Sequence, residues 1–219
     1  MKKQLLIAAV LLCVWNGAAF AQVILDADFS SAQGYKDGPV VNQPTGASSL
    51  WLDGNATVAP AVNIVVQGEA LVTTVNGVES KWVYILIPVQ KGKLTVTWDW
   101  RYAGTAAGFV DTGFCLSDTE NFKIDNNPNP NFNEQGAMVR MTQDTANGTG
   151  VIDVRNGDGQ GGGSYAVTNP VLYLDGKKIS MRMEIDIAAL KLDVYATREG
   201  ESEVQIASGY GLRRNPTAA

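Results

Sequence analysis

The sequence has 219 residues, a net charge of −5, two cysteines and no histidine. The lack of histidine excludes Ser-His-Asp triads, Cys-His dyads and metal sites built on imidazole. An acidic chain without a basic patch argues against nucleic acid and anionic lipid surfaces as partners.

The first 21 residues predict a secretory signal peptide. Lys2 and Lys3 form a basic start, residues 5–14 are apolar, and residues 19–21 read Ala-Phe-Ala, a small-x-small cleavage site. We therefore expect a protein that is secreted to the extracellular space or the periplasm and does not insert into a membrane. Residues 22–219 have a length that commonly forms one all-β domain, so we expect a single β-sandwich domain there.

Short strands and turns are predicted from the start of this domain. Residues 23–29 predict a first strand and residues 49–51 a short one. Residues 63–75 predict a hairpin that turns near Gly68.

The stretch 82–102 predicts a central hairpin. Residues 82–89 are almost continuously apolar, which is typical of a strand covered on both faces, and Gly92 lies in the turn that follows. From residue 94 onward, apolar and polar residues alternate, so one face should be apolar and the other polar. The apolar set is Leu94, Val96, Trp98, Trp100 and Tyr102, and the polar set is Thr95, Thr97, Asp99 and Arg101.

Further strands follow, separated by two loops. The predicted strands are 112–117, 137–142, 150–155, 171–174, 179–187, 191–198 and 203–208. Residues 118–133, rich in Asn, Asp and Pro, predict a long exposed loop, and residues 156–163, rich in glycine, predict a flexible one.

Many short strands without a long helix predict an all-β fold of two antiparallel sheets packed as a sandwich. The segments Asp28-Phe29 and Gly34-Tyr35, the stretch KGKLTVTWDWRY and the closing stretch KKISMRMEIDIAALKLDVYATREGE resemble the concanavalin A-like lectin/glucanase superfamily, which includes laminin-G-like domains. The resemblance implies a concanavalin A-like jelly roll that binds carbohydrate. Its final strand either lies within residues 203–212 or is lacking.

Two enzymatic alternatives arise from this resemblance. Laminarinase-type glycoside hydrolases of this fold carry Glu-x-Asp-x-(x)-Glu on one strand, and Glu184 and Asp186 match the first two carboxylates. Ala188 and Ala189 occupy both places for the last Glu, so leaving-group protonation has no donor and an ordinary strand is the better interpretation. Polysaccharide lyases use Tyr with Arg, and this chain offers such residues: Arg101, Tyr102, Arg140 and Tyr165.

A calcium site is the cofactor that the sequence suggests. Asp118, Glu120 and Asp125 lie in one loop and supply the oxygen ligands that Ca²⁺ prefers. A second loop offers Asp153, Asn156 and Asp158. The alternative is that both loops are simply solvated turns.

Trp51, Asp99, Arg101 and Arg140 are the predicted ligand-binding residues, because sugars stack on aromatic rings and exchange hydrogen bonds with planar polar groups. The alternatives are core packing for Trp51 and cross-strand ion pairs at the surface for Asp99 and Arg101. We expect Cys115 to be a buried small hydrophobe.

The sequence therefore predicts a secreted, non-catalytic carbohydrate-binding or adhesive module that takes a glycan or polysaccharide as partner. Two alternatives stay open: a polysaccharide-active enzyme, either a hydrolase or a lyase, and a structural protein of a cell surface or matrix.

Overall fold

The structure is a computed structural model. It describes residues 25–44, 50–53, 64–73, 83–88, 90–102, 112–117, 136–144, 149–173 and 175–215. These ranges contain thirteen β-strands, a 3-10 turn at Ser31–Gln33 and no α-helix, so the predicted all-β class is confirmed. Accordingly, no helix within them is long and apolar enough to span a membrane.

Four antiparallel sheets contain all the strands. The strands are β1 (Gly38–Pro39), β2 (Leu52–Asp53), β3 (Ile64–Val66), β4 (Leu71–Thr73), β5 (Val83–Tyr84), β6 (Lys93–Trp100), β7 (Thr112–Leu116), β8 (Ala137–Asp144), β9 (Thr149–Asn156), β10 (Ser164–Ala166), β11 (Ile179–Asp186), β12 (Lys191–Arg198) and β13 (Val204–Gly211). Two sheets have four strands each, in the orders β10-β9-β8-β7 and β13-β12-β11-β6. The small sheets are β1-β3-β4 and β2-β5.

The two four-stranded sheets share one hydrophobic core. Along β11, buried and half-buried residues alternate, so Met181 and Met183 face the core while Arg182 faces outward, as the sequence predicts. The Trp98 ring of β6 stacks on the Phe114 ring of β7, with centroids 4.5 Å apart, and so joins one sheet to the other. This arrangement agrees with an all-β sandwich, and the jelly-roll connectivity stays a prediction.

Backbone hydrogen bonds close the side of the core where β9 meets β13. The N–H groups of Gly157, Gly159 and Gly161 donate to the carbonyls of residues 211, 212 and 213, at 2.9, 2.9 and 2.7 Å. A Cβ on Gly157 would lie 2.2 Å from the Cα of Arg213, so only glycine allows this approach. The prediction of a flexible loop at 156–163 is therefore corrected, because this loop is tied to the C-terminal segment.

A second cluster of buried side chains lies among the N-terminal strands and contains Tyr35, Val40, Ile64 and Val66. The hairpin predicted at 63–75 is confirmed by the pairing of β3 with β4. The strand predicted at 23–29 is wrong for residues 25–29, which form none. The physical reason is local, because Phe29 has a left-handed φ of 58° and the Ser30 N–H donates to the Asp28 side chain.

The predicted central hairpin is also wrong. Only Val83–Tyr84 of its first half is a strand in the described part, and it pairs with β2. The second half is β6, which pairs with β11 across a long sequence separation. The alternation along β6 is confirmed, because its apolar residues pack on the core and its polar residues are exposed. Alternation specifies which face is buried but not which strand lies alongside.

Candidate functional site

The outward face of the β13-β12-β11-β6 sheet is a continuous polar surface. Because side chains alternate along each strand, every second residue of β6, β11 and β12 points away from the core. The register places Thr97, Arg182 and Tyr195 side by side across three strands. The next such row, two residues along, contains Thr95, Glu184 and Asp193. The sheet thus assembles polar groups that are far apart in the sequence.

A shallow depression of about 370 Å³ lies on this face and is called the Arg182 depression. Its lining residues are Thr97, Trp98, Asp99, Ser180, Met181, Arg182, Thr197 and Glu203. Three of them carry hydroxyls, two carry carboxylates and one carries a guanidinium. This set offers both donors and acceptors to a polar ligand.

Arg182 is fixed at the edge of this depression by a fork of hydrogen bonds. Its Nη2 donates to Glu203 Oε1 at 2.6 Å and its Nε donates to Oε2 at 3.2 Å. It also donates to the Glu184 carboxylate. The bond with Glu203 raises the pKa of Arg182 and lowers the pKa of Glu203, so both groups stay charged at neutral pH.

Tyr195 supports the same guanidinium from the side. The Cζ of Arg182 lies 3.8 Å from the centroid of the Tyr195 ring, which is a cation–π contact. Gln205 Nε2 donates to the Tyr195 hydroxyl at 3.3 Å. Arg182 is therefore held before any ligand arrives, which lowers the entropic cost of binding through it.

A second depression of about 240 Å³, the Asp186 depression, lies farther along the same face. Its lining residues are Lys93, Leu94, Thr95, Glu184, Ile185, Asp186, Ala189, Lys191 and Asp193. Glu184 and Asp193 lie directly opposite each other on β11 and β12.

Each carboxylate of the Asp186 depression already accepts a hydrogen bond from the protein. Asp186 accepts from the Ala189 N–H at 2.9 Å, Asp193 accepts from the Gly209 N–H at 2.8 Å, and Glu184 accepts from Arg182. Asp193 supplies a third carboxylate beside the hydrolase-like pair, but from the neighbouring strand rather than from the Glu-x-Asp-x-(x)-Glu pattern. These hydrogen bonds hold the three carboxylates in place on the polar face of the sheet.

Two predicted ligand residues, Asp99 of β6 and Arg101 just after it, form ion pairs at the surface. Asp99 pairs with Lys178 at 3.2 Å, and Arg101 pairs with Glu199 at 3.8 Å. All four side chains are about half exposed, so each pair contributes little to stability. Asp99 nevertheless lines the Arg182 depression, whereas Arg101 does not.

Arg140 lies on the outward face of the other four-stranded sheet, away from Asp99. It pairs with Asp153 at 3.3 Å, and its Cζ lies 3.5 Å from the centroid of the Tyr165 ring. The Tyr165 hydroxyl donates to the sulfur of Met138 at 2.9 Å. The Arg–Tyr pair considered for a lyase is thus brought together, with the guanidinium on the ring face rather than beside the hydroxyl.

Trp51 belongs to the N-terminal cluster instead of to either depression. Its ring stacks on Phe29 with centroids 6.0 Å apart, and its Nε1 donates to the Tyr35 hydroxyl at 3.0 Å. These contacts give Trp51 a packing role. The structure does not place it near Asp99, Arg101 or Arg140.

The predicted calcium ligands Asp118, Glu120 and Asp125 lie outside the described residues. In the second loop, Asp158 Oδ1 accepts from two backbone N–H groups, those of Gln160 and Gly162, at 2.8 and 2.9 Å. Across the described ranges, no three acidic, cysteine or histidine side chains are grouped to hold a metal ion.

Sequence reasoning missed the polar members of the Arg182 depression outside β6, which are Ser180, Arg182, Thr197 and Glu203. The alternation along β11 did predict that Arg182 points outward. The register that joins β6, β11, β12 and β13 is what brings these residues together, and no local signal specifies it.

Comparison with protein-family models, curated proteins and solved structures finds no match for this chain.

Proposed function

We propose that this protein is a non-catalytic module that binds a carbohydrate chain in the Arg182 depression. The observation that supports the proposal most is the lining itself. Hydroxyls of Thr97, Ser180 and Thr197 lie beside the carboxylate of Asp99 and the fixed guanidinium of Arg182. Sugar hydroxyls both donate and accept hydrogen bonds, and this mixture of groups can accept from them and donate to them.

The shape of the site favours a polymer over a small metabolite. Small-molecule sites are concave and bury most of the ligand. The Arg182 depression is shallow and lies on an exposed sheet face that continues into the Asp186 depression. An extended chain can lie across such a face and make contacts along its length.

A binding role is favoured over hydrolysis by the state of Glu203, a carboxylate that lines the Arg182 depression. General acid catalysis needs a carboxyl group free to transfer a proton to the leaving group. Glu203 is instead held by Arg182, which lowers its pKa and keeps it ionised.

In this proposal the predicted signal peptide at residues 1–21 delivers the module outside the cytoplasm, where polysaccharides occur.

A glycan array tests the proposal. The purified chain, labelled and shown to be folded by circular dichroism, is applied in calcium-containing buffer and again with chelator. We expect selective binding that the chelator does not change, because the groups that line the depression can bind sugar hydroxyls directly through hydrogen bonds. Binding that is lost with chelator would move the site to the loop of Asp118, Glu120 and Asp125. No binding in either buffer would overturn the proposal and favour a structural role.

A further inference from the structure

Among the strands that the structure describes, β6 is an open edge of its sheet. The Ile187 N–H donates to the Gly92 carbonyl at 2.8 Å, in the same register that pairs β11 with β6. Hydrogen-bonded pairs alternate in an antiparallel ladder, so the even-numbered residues of β6 bond to β11. The backbone groups of Thr95, Thr97 and Asp99 therefore point to the open side. In the part of the chain that the structure describes, these outward groups have no hydrogen-bond partner.

The other three edges of the four-stranded sheets are protected or short. Strand β13 has register irregularities and is covered by hydrogen bonds from the glycine loop and from Thr168. Strand β10 has three residues, and β7 has five. In contrast, β6 has eight residues in unbroken register, with no proline, glycine or bulge. Such a long regular edge is a template for another strand unless it has a partner.

We propose that β6 pairs antiparallel with β6 of a second copy of this chain, about a two-fold axis that passes between the two Val96 residues. In this register Thr95 lies opposite Thr97 of the second copy, and Lys93 lies opposite its Asp99. All four are odd-numbered residues, so their backbone groups point to the open side and form the hydrogen-bonded pairs of the new ladder.

The side chains across this interface complement each other. Because the axis is two-fold, each pairing occurs twice. The interface therefore gains two Lys93–Asp99 ion pairs and two Thr95–Thr97 contacts. Opposite charges and Thr–Thr pairs directly across two strands are favourable. A shift that centres the axis on Thr97 would instead place Lys93 opposite Arg101, and like charges directly opposite are unfavourable. Charge therefore favours the Val96-centred register over the Thr97-centred one.

The dimer joins the polar faces of both copies into one surface. Thr97 and Asp99 of one Arg182 depression would lie beside Thr95 and Lys93 of the second copy's Asp186 depression. The two sheets would become one eight-stranded sheet with the hydrogen-bonding direction continuous across the axis. The dimer itself rests on the open edge and its charges and does not depend on the identity of any ligand.

Sedimentation velocity on the purified full chain tests the proposal, over a concentration series from low micromolar to near millimolar. We expect a monomer–dimer equilibrium. Lys93→Glu should raise the dimer dissociation constant about tenfold or more, because it places two carboxylates opposite each other at two symmetric positions. Combining Lys93→Glu with Asp99→Lys should restore dimerisation, since the charge pair is then reversed.

The matched control is Lys191→Glu. Lys191 lies in the same cross-strand row as Lys93 but on β12, two strands from the axis, so the same charge change should leave the dimer intact. Thr95→Pro removes an outward N–H that β11 does not use, and should abolish the dimer while circular dichroism remains unchanged. A monomer at every concentration would overturn the proposal. So would a dimer that persists in Thr95→Pro and is equally sensitive to Lys93→Glu and Lys191→Glu.

Discussion

Arg182 on β11 holds Glu203, which lies just before β13, through two parallel hydrogen bonds of 2.6 and 3.2 Å. The two residues are 21 positions apart, and the strand order β13-β12-β11 brings them together over Tyr195. A fork of this kind sets both the position and the plane of a guanidinium. These two side chains form a charged side of the Arg182 depression.

The Arg182–Glu203 bond should make stability depend on pH. The bond lowers the pKa of Glu203 in the folded state, so the ionised carboxylate stabilises the fold at neutral pH. This stability is present above the ordinary glutamate pKa of about 4.3 and is lost as pH falls through the lower folded value. Between pH 7 and pH 3, the melting temperature of Glu203→Gln should therefore fall less than that of the wild type. An equal loss in both proteins would contradict this account.

The alternation along β11 predicts unequal costs for neighbouring residues. Met183 is fully buried between the sheets, so Met183→Ala should cost about 2–5 kcal/mol of unfolding free energy. Ser180 faces outward on the same strand, and Ser180→Ala should change stability by less than about 0.5 kcal/mol. Urea denaturation measures both values. Similar costs would mean that β11 is not oriented as described.

The close approach of the glycine loop to the C-terminal segment can be tested at Gly157. A Cβ there would lie 2.2 Å from backbone atoms of Arg213, so Gly157→Ala should cost about 1–3 kcal/mol through overpacking. Gly113→Ala is the matched control, because its nearest contact is at 3.3 Å, and we expect less than about 1 kcal/mol there. Chemical denaturation would contradict the description if both variants were equally stable.

Cys115 should be chemically inert in the folded protein. Burial raises the pKa of its thiol to about 11, so almost no thiolate is present at pH 8. Iodoacetamide should alkylate Cys115 slowly in native protein and rapidly after denaturation in guanidinium. Peptide mass spectrometry follows the modified fraction. Rapid alkylation of native protein would contradict the raised pKa of this half-buried thiol.

Much of the local structure could be predicted from the sequence, because it depends on local periodicity. The alternation from Leu94 onward identified the core face of β6, and the strands β8, β9, β11 and β12 lie where predicted. The first predicted strand is wrong because the backbone there adopts an unusual local conformation. Phe29 adopts a positive φ, and residues 25–29 of the strand predicted at 23–29 form no strand.

Strand neighbours could not be predicted, and the candidate site depends on them. The short sequence separation between residues 82–89 and β6 favoured a hairpin, but β6 pairs with β11 instead. Of the predicted ligand residues, only Asp99 lines the Arg182 depression, since Arg140 lies on the other sheet and Trp51 lies in the N-terminal cluster. Their separation follows from register, a long-range property that residue type does not encode.

Calorimetric titration of two tyrosine variants tests the central claim most directly. The ligand is the soluble glycan that gives the strongest array signal. Thr97→Tyr fills the Arg182 depression and should weaken binding at least about tenfold. Ser164→Tyr adds the same ring at an exposed position of β10, in the other four-stranded sheet, and should leave affinity within about threefold. Equal affinities in the two variants would contradict the assignment of the Arg182 depression as the binding site.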